Sequence, residues 1–272
     1  MTHEEYTSYA LSAARAKLAY MNPEEVKRLW ATSSNEKTLE YLLFHSVPSQ
    51  PKFYSNEETN SQMYIWKDGK TLHVVFRGTQ EKYDVLVDLD ILRSYLFPSS
   101  NILVHSGFLS QFKSLESYIT SEIIEGLGEI DTLHFSGHSL GAAVATLAAA
   151  YYGEIYKAGM KIICHTIGSP RVGNKAFTEF FATNVEEEIR ITNVKDPVPL
   201  IPMSFLYMHV SNSICINDEC FVEYAIKDVP WYWRIIYFPF SINFFAPVHC
   251  HSCDLYIERL LKLAELRDIR TF

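Results

Sequence analysis

The stretch HFSGHSLGAA, residues 134–143, places a serine between two glycines, after an apolar run and before an alanine-rich one. The run before it is typical of a buried strand, and the residues from Ser139 to Tyr152 have the composition of a helix. Gly137 and Gly141 stand two positions either side of Ser139, where a strand-to-helix corner crowds the backbone and only small residues fit. The alternative is an ordinary turn that contains a serine. In its strand-to-helix context, G-x-S-x-G favours a nucleophilic serine on a tight turn.

Strand and helix patterns alternate along the rest of the chain. In order they are a helix over 4–19, a helix beginning at 22–25, a hairpin turning at Asp68-Gly69, a strand-to-helix unit over about 101–125, a strand in 131–137, a helix over 139–152, a strand in 161–170, a helix over about 174–183 and a strand in 187–194. Such alternation predicts a mostly parallel central sheet with helices on both faces. We expect one α/β domain over residues 1–272.

The composition excludes several classes of protein. With 272 residues, 48% of them hydrophobic and 14% aromatic, the chain can bury a sizeable core and is not globally disordered. A net charge of -8 without a block rich in Lys or Arg argues against nucleic acid as a partner. The first twenty residues carry charges throughout and lack the apolar segment of a secretory signal, so we expect a cytoplasmic location, with secretion by another route as the alternative.

The five cysteines are odd in number and too sparse for a disulfide scaffold. The segment Cys215–Cys220 predicts a hairpin that turns at Asn217-Asp218 and sets the two thiols opposite each other. Cys250 and Cys253 have metal-ligand spacing, and with the first pair they offer four ligands for zinc. Because the first pair lacks the usual zinc-knuckle spacing, we interpret the cysteines as free thiols and expect no metal.

A serine nucleophile needs a base, and the base needs an orienting acid. Asp196 directly follows a predicted strand, at the carboxyl end where parallel sheets place functional groups. Its alternative role is to cap a turn before Pro197. His249 and His251 precede a further predicted helix over 253–266, so acid and histidine follow Ser139 in the order Ser, Asp, His. The order alone leaves both histidines open as the base.

The start of the helix behind Ser139 is suited to binding an oxyanion. The first N–H groups of a helix have no partner within the helix and lie at the positive end of its dipole. We therefore expect the backbone N–H of Leu140 to donate to an oxyanion. Chemistry of this kind needs neither a metal nor an organic cofactor.

Six motifs in a fixed order resemble the class 3 lipases, the α/β-hydrolase family that includes the fungal triacylglycerol lipases. They are VVFRGT (74–79), DVLVDL (84–89), VHSGF (104–108), GHSLGAA (137–143), GSPRVGN (168–174) and DPVPLIP (196–202). The resemblance runs from about Tyr64 to Tyr256 and implies the α/β-hydrolase fold. It further implies ester hydrolysis through an acyl-enzyme on Ser139, with Asp196 as the acid of the triad.

The resemblance also assigns roles that the residues alone leave open. Thr79 stands where the family's second oxyanion donor lies, and its backbone N–H and hydroxyl would then join the N–H of Leu140. In the family the carboxyl-terminal histidine precedes a tyrosine by three to five positions. The spacing to Tyr256 therefore favours His251 over His249 as the base.

Two segments bear on the substrate. Val85 replaces the tryptophan of the family's D-W-x-x-D-L motif, within the segment Asp84–Pro98 that acts as a lid in fungal lipases. The aromatic segment Val229–Val248 is interpreted as a wall for an acyl chain, with plain core or a membrane-touching flap as alternatives. We expect an acylglycerol lipase that hydrolyses lipid-like esters and contacts a lipid interface transiently. Phospholipase A1, a small-ester or feruloyl esterase and a catalytically silent lipid-binding module are the alternatives, and the oligomeric state is left open.

Several other polar residues are interpreted as parts of the scaffold rather than of the site. They are His105 as a hydrogen-bonding residue under the sheet, His138 as a filler of the corner with no evident task, Arg77 as the partner of a buried carboxylate such as Asp88, Arg171 and Asn174 as organisers of a loop, and His209 as the non-catalytic histidine of the family's Y-x-H stretch.

Overall fold

Strands and helices alternate in the part of the chain that the structure describes. The structure is a computed structural model that describes residues 2–31, 47, 50–78, 92–202, 204–211, 213–217, 222–225 and 248–268. Its strands are β1 (Lys52–Asn56), β2 (Ser61–Asp68), β3 (Thr71–Phe76), β4 (Arg93–Tyr95), β5 (Leu103–His105), β6 (Thr132–His138), β7 (Lys161–Ile167), β8 (Glu187–Asn193), β9 (Ser213–Ile216) and β10 (Val222–Ala225). Its α-helices are α1 (His3–Leu18), α2 (Pro23–Ala31), α3 (Ser106–Glu125), α4 (Leu140–Tyr156), α5 (Lys175–Asn184) and α6 (Cys253–Asp268), with short 3₁₀ turns at Val198–Leu200 and Val248–His251.

The main sheet has eight strands in the order β1-β2-β3-β6-β7-β8-β9-β10. Strands β3, β6, β7, β8 and β9 run parallel, and antiparallel pairs close both edges. The predicted mostly parallel sheet is therefore confirmed. The register pairs Phe76 with Gly137 and His138 with Ile167, so the central strands end at the same edge. The residues that follow these strands meet there, which positions the site described below.

Helices cover both faces of this sheet, as expected. Helices α3, α4 and α5 pack on one face, where Phe112, Phe135 and Leu147 belong to one buried cluster. Helices α1 and α6 pack on the other face, with Tyr6 and Tyr256 in a second cluster. None of the described helices is long and apolar enough to cross a membrane.

Three features differ from the sequence expectations. Strand β1 was not predicted, because its residues are half-buried or exposed and form no apolar run. Strand β5 pairs with β4 in a separate two-stranded sheet and does not join the main one. The predicted hairpin of β9 and β10 forms, but its register sets Cys215 opposite Glu223 and not opposite Cys220, which lies outside the described residues. The turn is therefore wider than two residues.

Four cysteines fall within the described residues, and all are buried free thiols: Cys164, Cys215, Cys250 and Cys253. The Cys253 thiol donates to the Ala13 carbonyl at 3.3 Å, which ties α6 to α1. Burial raises its pKa to about 12, so this thiol stays protonated and unreactive. In the described part of the chain no three side chains of metal-binding type lie close enough to share an ion.

Three histidines lie side by side across β3, β6 and β7 on the face that α1 covers. The ring centroids of His73 and His134 are 4.9 Å apart, and those of His134 and His165 are 4.4 Å apart. Burial lowers the pKa of His73 to about 3 and lowers the pKa of the other two, and the charge of Arg15 acts in the same direction. Glu187 faces His165 at 3.6 Å and opposes the effect there. The fold therefore holds these rings neutral.

We expect the protein to lose stability as the pH falls below about 6.5, the usual histidine pKa. In that range these histidines are protonated in the unfolded state but not in the folded state. The unfolded state therefore binds more protons, and lowering the pH stabilises it relative to the folded state. The free energy of unfolding, measured by urea titration between pH 8 and pH 5, should fall with a slope to which these three histidines contribute up to about three protons. His73→Phe, which keeps a ring stacked on Trp66, should reduce that slope by about one proton. An unchanged slope in His73→Phe would contradict this account.

Candidate active site

Ser139 lies at the corner between β6 and α4, as the sequence predicts. Its backbone angles are φ 60° and ψ −129°, a left-handed conformation that is unusual for a residue other than glycine. Its N–H donates to the Ile167 carbonyl at 3.0 Å, which fastens the corner to the end of β7. The hydroxyl does not cap its own helix, and the residue is 3% exposed. The corner therefore keeps the hydroxyl free of a local structural task.

Two glycines make this corner possible. A Cβ placed on Gly137 would lie 2.5 Å from the carbonyl of Gly141, and a Cβ on Gly141 would collide with the carbonyl oxygen of Phe76. Both positions are too close to neighbouring backbone for any side chain. Leu140 is the first residue of α4, so its N–H is one of those that a helix leaves without an intrahelical partner.

Asp196 and His251 form a buried hydrogen-bonded pair. The Nδ1–H of His251 donates to Oδ2 of Asp196 at 2.7 Å, and Asp196 is only 2% exposed. The Val198 N–H donates to Oδ1 at 2.9 Å, and the Tyr256 hydroxyl donates to Oδ2 at 2.7 Å. These bonds fix the carboxylate and, through it, the tautomer of the imidazole. The Nε2 atom of His251 is left without a hydrogen-bond partner among the described residues.

The imidazole of His251 lies against the corner that carries Ser139. Its ring centroid is 4.5 Å from that of His138, the residue before the serine. A Cβ on Gly168, which has φ +59°, would lie 3.1 Å from Cε1 of His251 and 2.9 Å from Oδ2 of Asp196. Gly168 directly follows Ile167, whose carbonyl accepts the Ser139 N–H. The fold therefore brings Ser139, His251 and Asp196 to one edge of the sheet.

Asn193, which the sequence analysis did not single out, ties the two loops of this pair together. Its side-chain N–H donates to the Cys250 carbonyl at 2.8 Å, and its oxygen accepts from Arg259 at 2.6 Å. Its backbone N–H donates to the Tyr256 hydroxyl at 2.9 Å. Burial and the nearby Asp196 carboxylate raise the pKa of Tyr256, so this phenol stays a donor. Only the spacing from His251 to Tyr256 offered a sequence signal for this arrangement.

Part of the predicted site lies outside the described residues. This applies to Thr79, to Val85 and Asp88 in the predicted lid, and to most of the aromatic segment 229–248. His249 lies in the same 3₁₀ turn as His251, but its side chain is also outside the description. The roles expected of these residues stay predictions.

The residues interpreted as scaffold have structural contacts. His105 caps α3 by accepting hydrogen bonds from the N–H groups of Gly107 and Phe108, and Asn174 caps α5 and donates to the Asn101 carbonyl. His209 hydrogen-bonds to the Pro199 carbonyl at 2.7 Å. Arg171 donates to the carbonyls of Leu200 and Pro202, and Arg77 donates to the Gln62 side chain. His138, interpreted as a filler with no evident task, also has partners, because both of its ring nitrogens are hydrogen-bonded.

Residues 73–206 match the sequence profile of the family described as Lipase (class 3). The chain belongs to the class 3 lipase family. Two curated relatives illustrate the match. A lipase of Rhizomucor miehei is 28% identical over 167 residues, and secreted mono- and diacylglycerol lipase 1 of Fusarium solani is 41% identical over 111 residues. The two alignments cover 60% and 40% of this chain, but only 46% and 32% of the relatives, so the chain matches less than half the length of either relative.

The fold of this class 3 lipase is the α/β-hydrolase fold, as predicted. The solved structure of the Rhizomucor miehei triacylglyceride lipase superposes with a TM-score of 0.73. The superposition covers 92% of this chain and 94% of the other at 20% sequence identity. The same architecture is therefore kept although few residues are shared.

The expected cytoplasmic location is wrong. The Fusarium solani relative is named a secreted lipase, and such relatives point to an extracellular location. The expectation relied on the charged composition of the first twenty residues. Most of these residues form α1, which is folded against the sheet and α6, so their composition reflects packing within the fold.

Proposed function

We propose that this class 3 lipase is a serine ester hydrolase that cleaves acylglycerols and related lipid esters through an acyl-enzyme. The observation that carries the proposal is the Asp196–His251 pair, whose unpartnered Nε2 lies at the edge of the sheet that carries the strained Ser139 corner. Acylglycerols are favoured because the Fusarium solani relative is named a mono- and diacylglycerol lipase.

In the proposed reaction the Ser139 oxygen attacks the ester carbonyl carbon while Nε2 of His251 accepts the hydroxyl proton. Asp196 holds the Nδ1–H tautomer and stabilises the imidazolium that forms. The carbonyl oxygen becomes an oxyanion, which the N–H of Leu140 and the N–H and hydroxyl of Thr79 bind. Collapse of this intermediate breaks the ester C–O bond, and His251 returns the proton to the departing alcohol.

The acyl-enzyme is then hydrolysed by the same groups. His251 takes a proton from water, the resulting hydroxide attacks the acyl carbon, and Ser139 leaves with that proton as the free acid is released. No step requires a metal ion or an organic cofactor. We further propose that residues 1–272 act as one domain in this reaction.

A panel of esters tests the substrate class. We expect release of fatty acid from mono- and diacylglycerols, measured by titration, together with hydrolysis of p-nitrophenyl esters of graded chain length. Faster hydrolysis of phospholipids would favour phospholipase A1, and activity limited to short or aromatic esters would favour a small-ester or feruloyl esterase. Binding of lipid without hydrolysis of any ester would make the protein a lipid-binding module. Each of these three results would overturn the acylglycerol proposal.

A further inference from the structure

A hydrogen-bonded chain runs from the turn after α1 to the backbone of His251. The Tyr20 hydroxyl is 2.8 Å from Nδ1 of His138, and Nε2 of His138 is 2.7 Å from the His251 carbonyl oxygen. The Tyr20 hydroxyl also accepts a hydrogen bond from the backbone N–H of Gly78. These three bonds join four segments that are far apart in sequence.

The chemistry of the acceptors fixes the direction of each bond. A carbonyl oxygen can only accept, so Nε2 of His138 carries the proton. Burial and the neighbouring His251 lower the pKa of His138, so the ring is neutral and its Nδ1 is an acceptor. Tyr20 must therefore donate to Nδ1, and its oxygen is then free to accept from Gly78. With both ring nitrogens used, the residue interpreted as a corner filler has a task.

These hydrogen bonds reach three parts of the proposed catalytic machinery, namely Ser139, Thr79 and His251, directly or through the preceding residue. Gly78 precedes Thr79, and His138 precedes Ser139. The contacts are tight, because a Cβ on Gly78 would run into the Tyr20 hydroxyl and lie 2.7 Å from the His138 carbonyl oxygen. A shift of Tyr20 would therefore displace His138 next to Ser139, the backbone of Gly78 next to Thr79, and the backbone of His251.

Helix α1 holds Tyr20 in place from the opposite side. His3 hydrogen-bonds to the Ala264 carbonyl of α6 at 3.0 Å, and Lys17 pairs with Asp254 of α6 at 2.8 Å. Buried alanines such as Ala13 let α1 pack closely on the sheet. The chain of hydrogen bonds therefore begins on an anchored element.

We propose that Tyr20 is a positioning residue for ester hydrolysis, which acts through His138 on His251 and through the backbone of Gly78 on Thr79, the next residue. The inference rests on the proposed function. Without the Tyr20 hydroxyl, Nδ1 of His138 and the Gly78 N–H lose their partner, and both relax toward other contacts. A misplacement of about 1 Å at a reacting group can cost on the order of a hundredfold in rate. Ground-state binding of the ester does not depend on these bonds.

Tyr20→Phe tests this with Tyr64→Phe as the matched control. The Tyr64 hydroxyl donates to the Met21 carbonyl at 3.0 Å, so the control removes one hydrogen bond to the same segment without touching the chain. For a soluble p-nitrophenyl ester we expect Tyr20→Phe to lower kcat by roughly 10- to 100-fold with KM changed less than about twofold. Tyr64→Phe should keep kcat within about twofold of the parent. Equal kcat values in the two variants would overturn the proposal.

A spectroscopic measurement tests the chain without relying on activity. The ¹⁵N resonance of His138 Nδ1 should move in Tyr20→Phe, because the nitrogen loses its donor, and should stay in place in Tyr64→Phe. An unchanged resonance would contradict the hydrogen bond from Tyr20 to His138 on which the proposal rests. If the parent fails to hydrolyse esters, or Ser139→Ala retains turnover, the proposed function fails instead. An active, Ser139-dependent parent whose Tyr20→Phe variant matches Tyr64→Phe would remove this inference alone.

Discussion

Ser139→Ala should lower kcat for a p-nitrophenyl ester by about 10³-fold or more while the protein stays folded. The substitution removes the attacking oxygen, and nothing else at the corner can form the acyl-enzyme. Alanine at φ 60° is as strained as serine there, and the hydroxyl caps no helix, so the melting temperature should change little. Circular dichroism and thermal unfolding of the variant provide the control. Turnover within tenfold of the parent would remove Ser139 as the nucleophile.

His251→Ala should lose as much activity as Ser139→Ala, because members of a triad act as a unit. His251 is the histidine that donates to Asp196. The double variant with Ser139→Ala should then be no slower than either single variant, since their effects do not add. The measured quantity is kcat for the two single variants and the double variant.

His249→Ala is the matched control for this prediction, because it removes an imidazole two residues away in the same 3₁₀ turn. We expect it to keep at least about a tenth of the parent's kcat. An inactive His249→Ala beside an active His251→Ala would assign the base to His249 and contradict the role given to the Asp196–His251 pair.

The strands and helices around the site were predictable from local patterns. The apolar run before Ser139, the alanine-rich run after it and the glycines at 137 and 141 all describe one strand-to-helix corner, and β6 and α4 form it. An apolar run stopped by Gly168 and Pro170 likewise marked β7, and the Asp68-Gly69 turn marked the hairpin of β2 and β3. Strand β1 was not predicted, because this edge strand buries few of its residues and leaves only a weak periodic signal in the sequence.

The contacts that hold the site together were not predictable in the same way. Tyr20 and His138 are 118 residues apart, and Asn193 and Cys250 are 57 apart. A polar contact between distant segments leaves no hydrophobic period in the sequence, and it depends on how α1 and α6 pack on the sheet. The sequence therefore offered His138 only as a filler, although the fold gives it a partner on each ring nitrogen.

Peptide mapping after reaction with a fluorophosphonate tests the central claim most directly. This probe phosphonylates a serine only where a base activates the hydroxyl and donors bind the resulting oxyanion, so labelling reports the assembled site rather than the presence of a serine. We predict one adduct per molecule, on the peptide that contains Ser139, and its loss in both Ser139→Ala and His251→Ala. An adduct on any other residue, or labelling that persists in Ser139→Ala, would contradict the account.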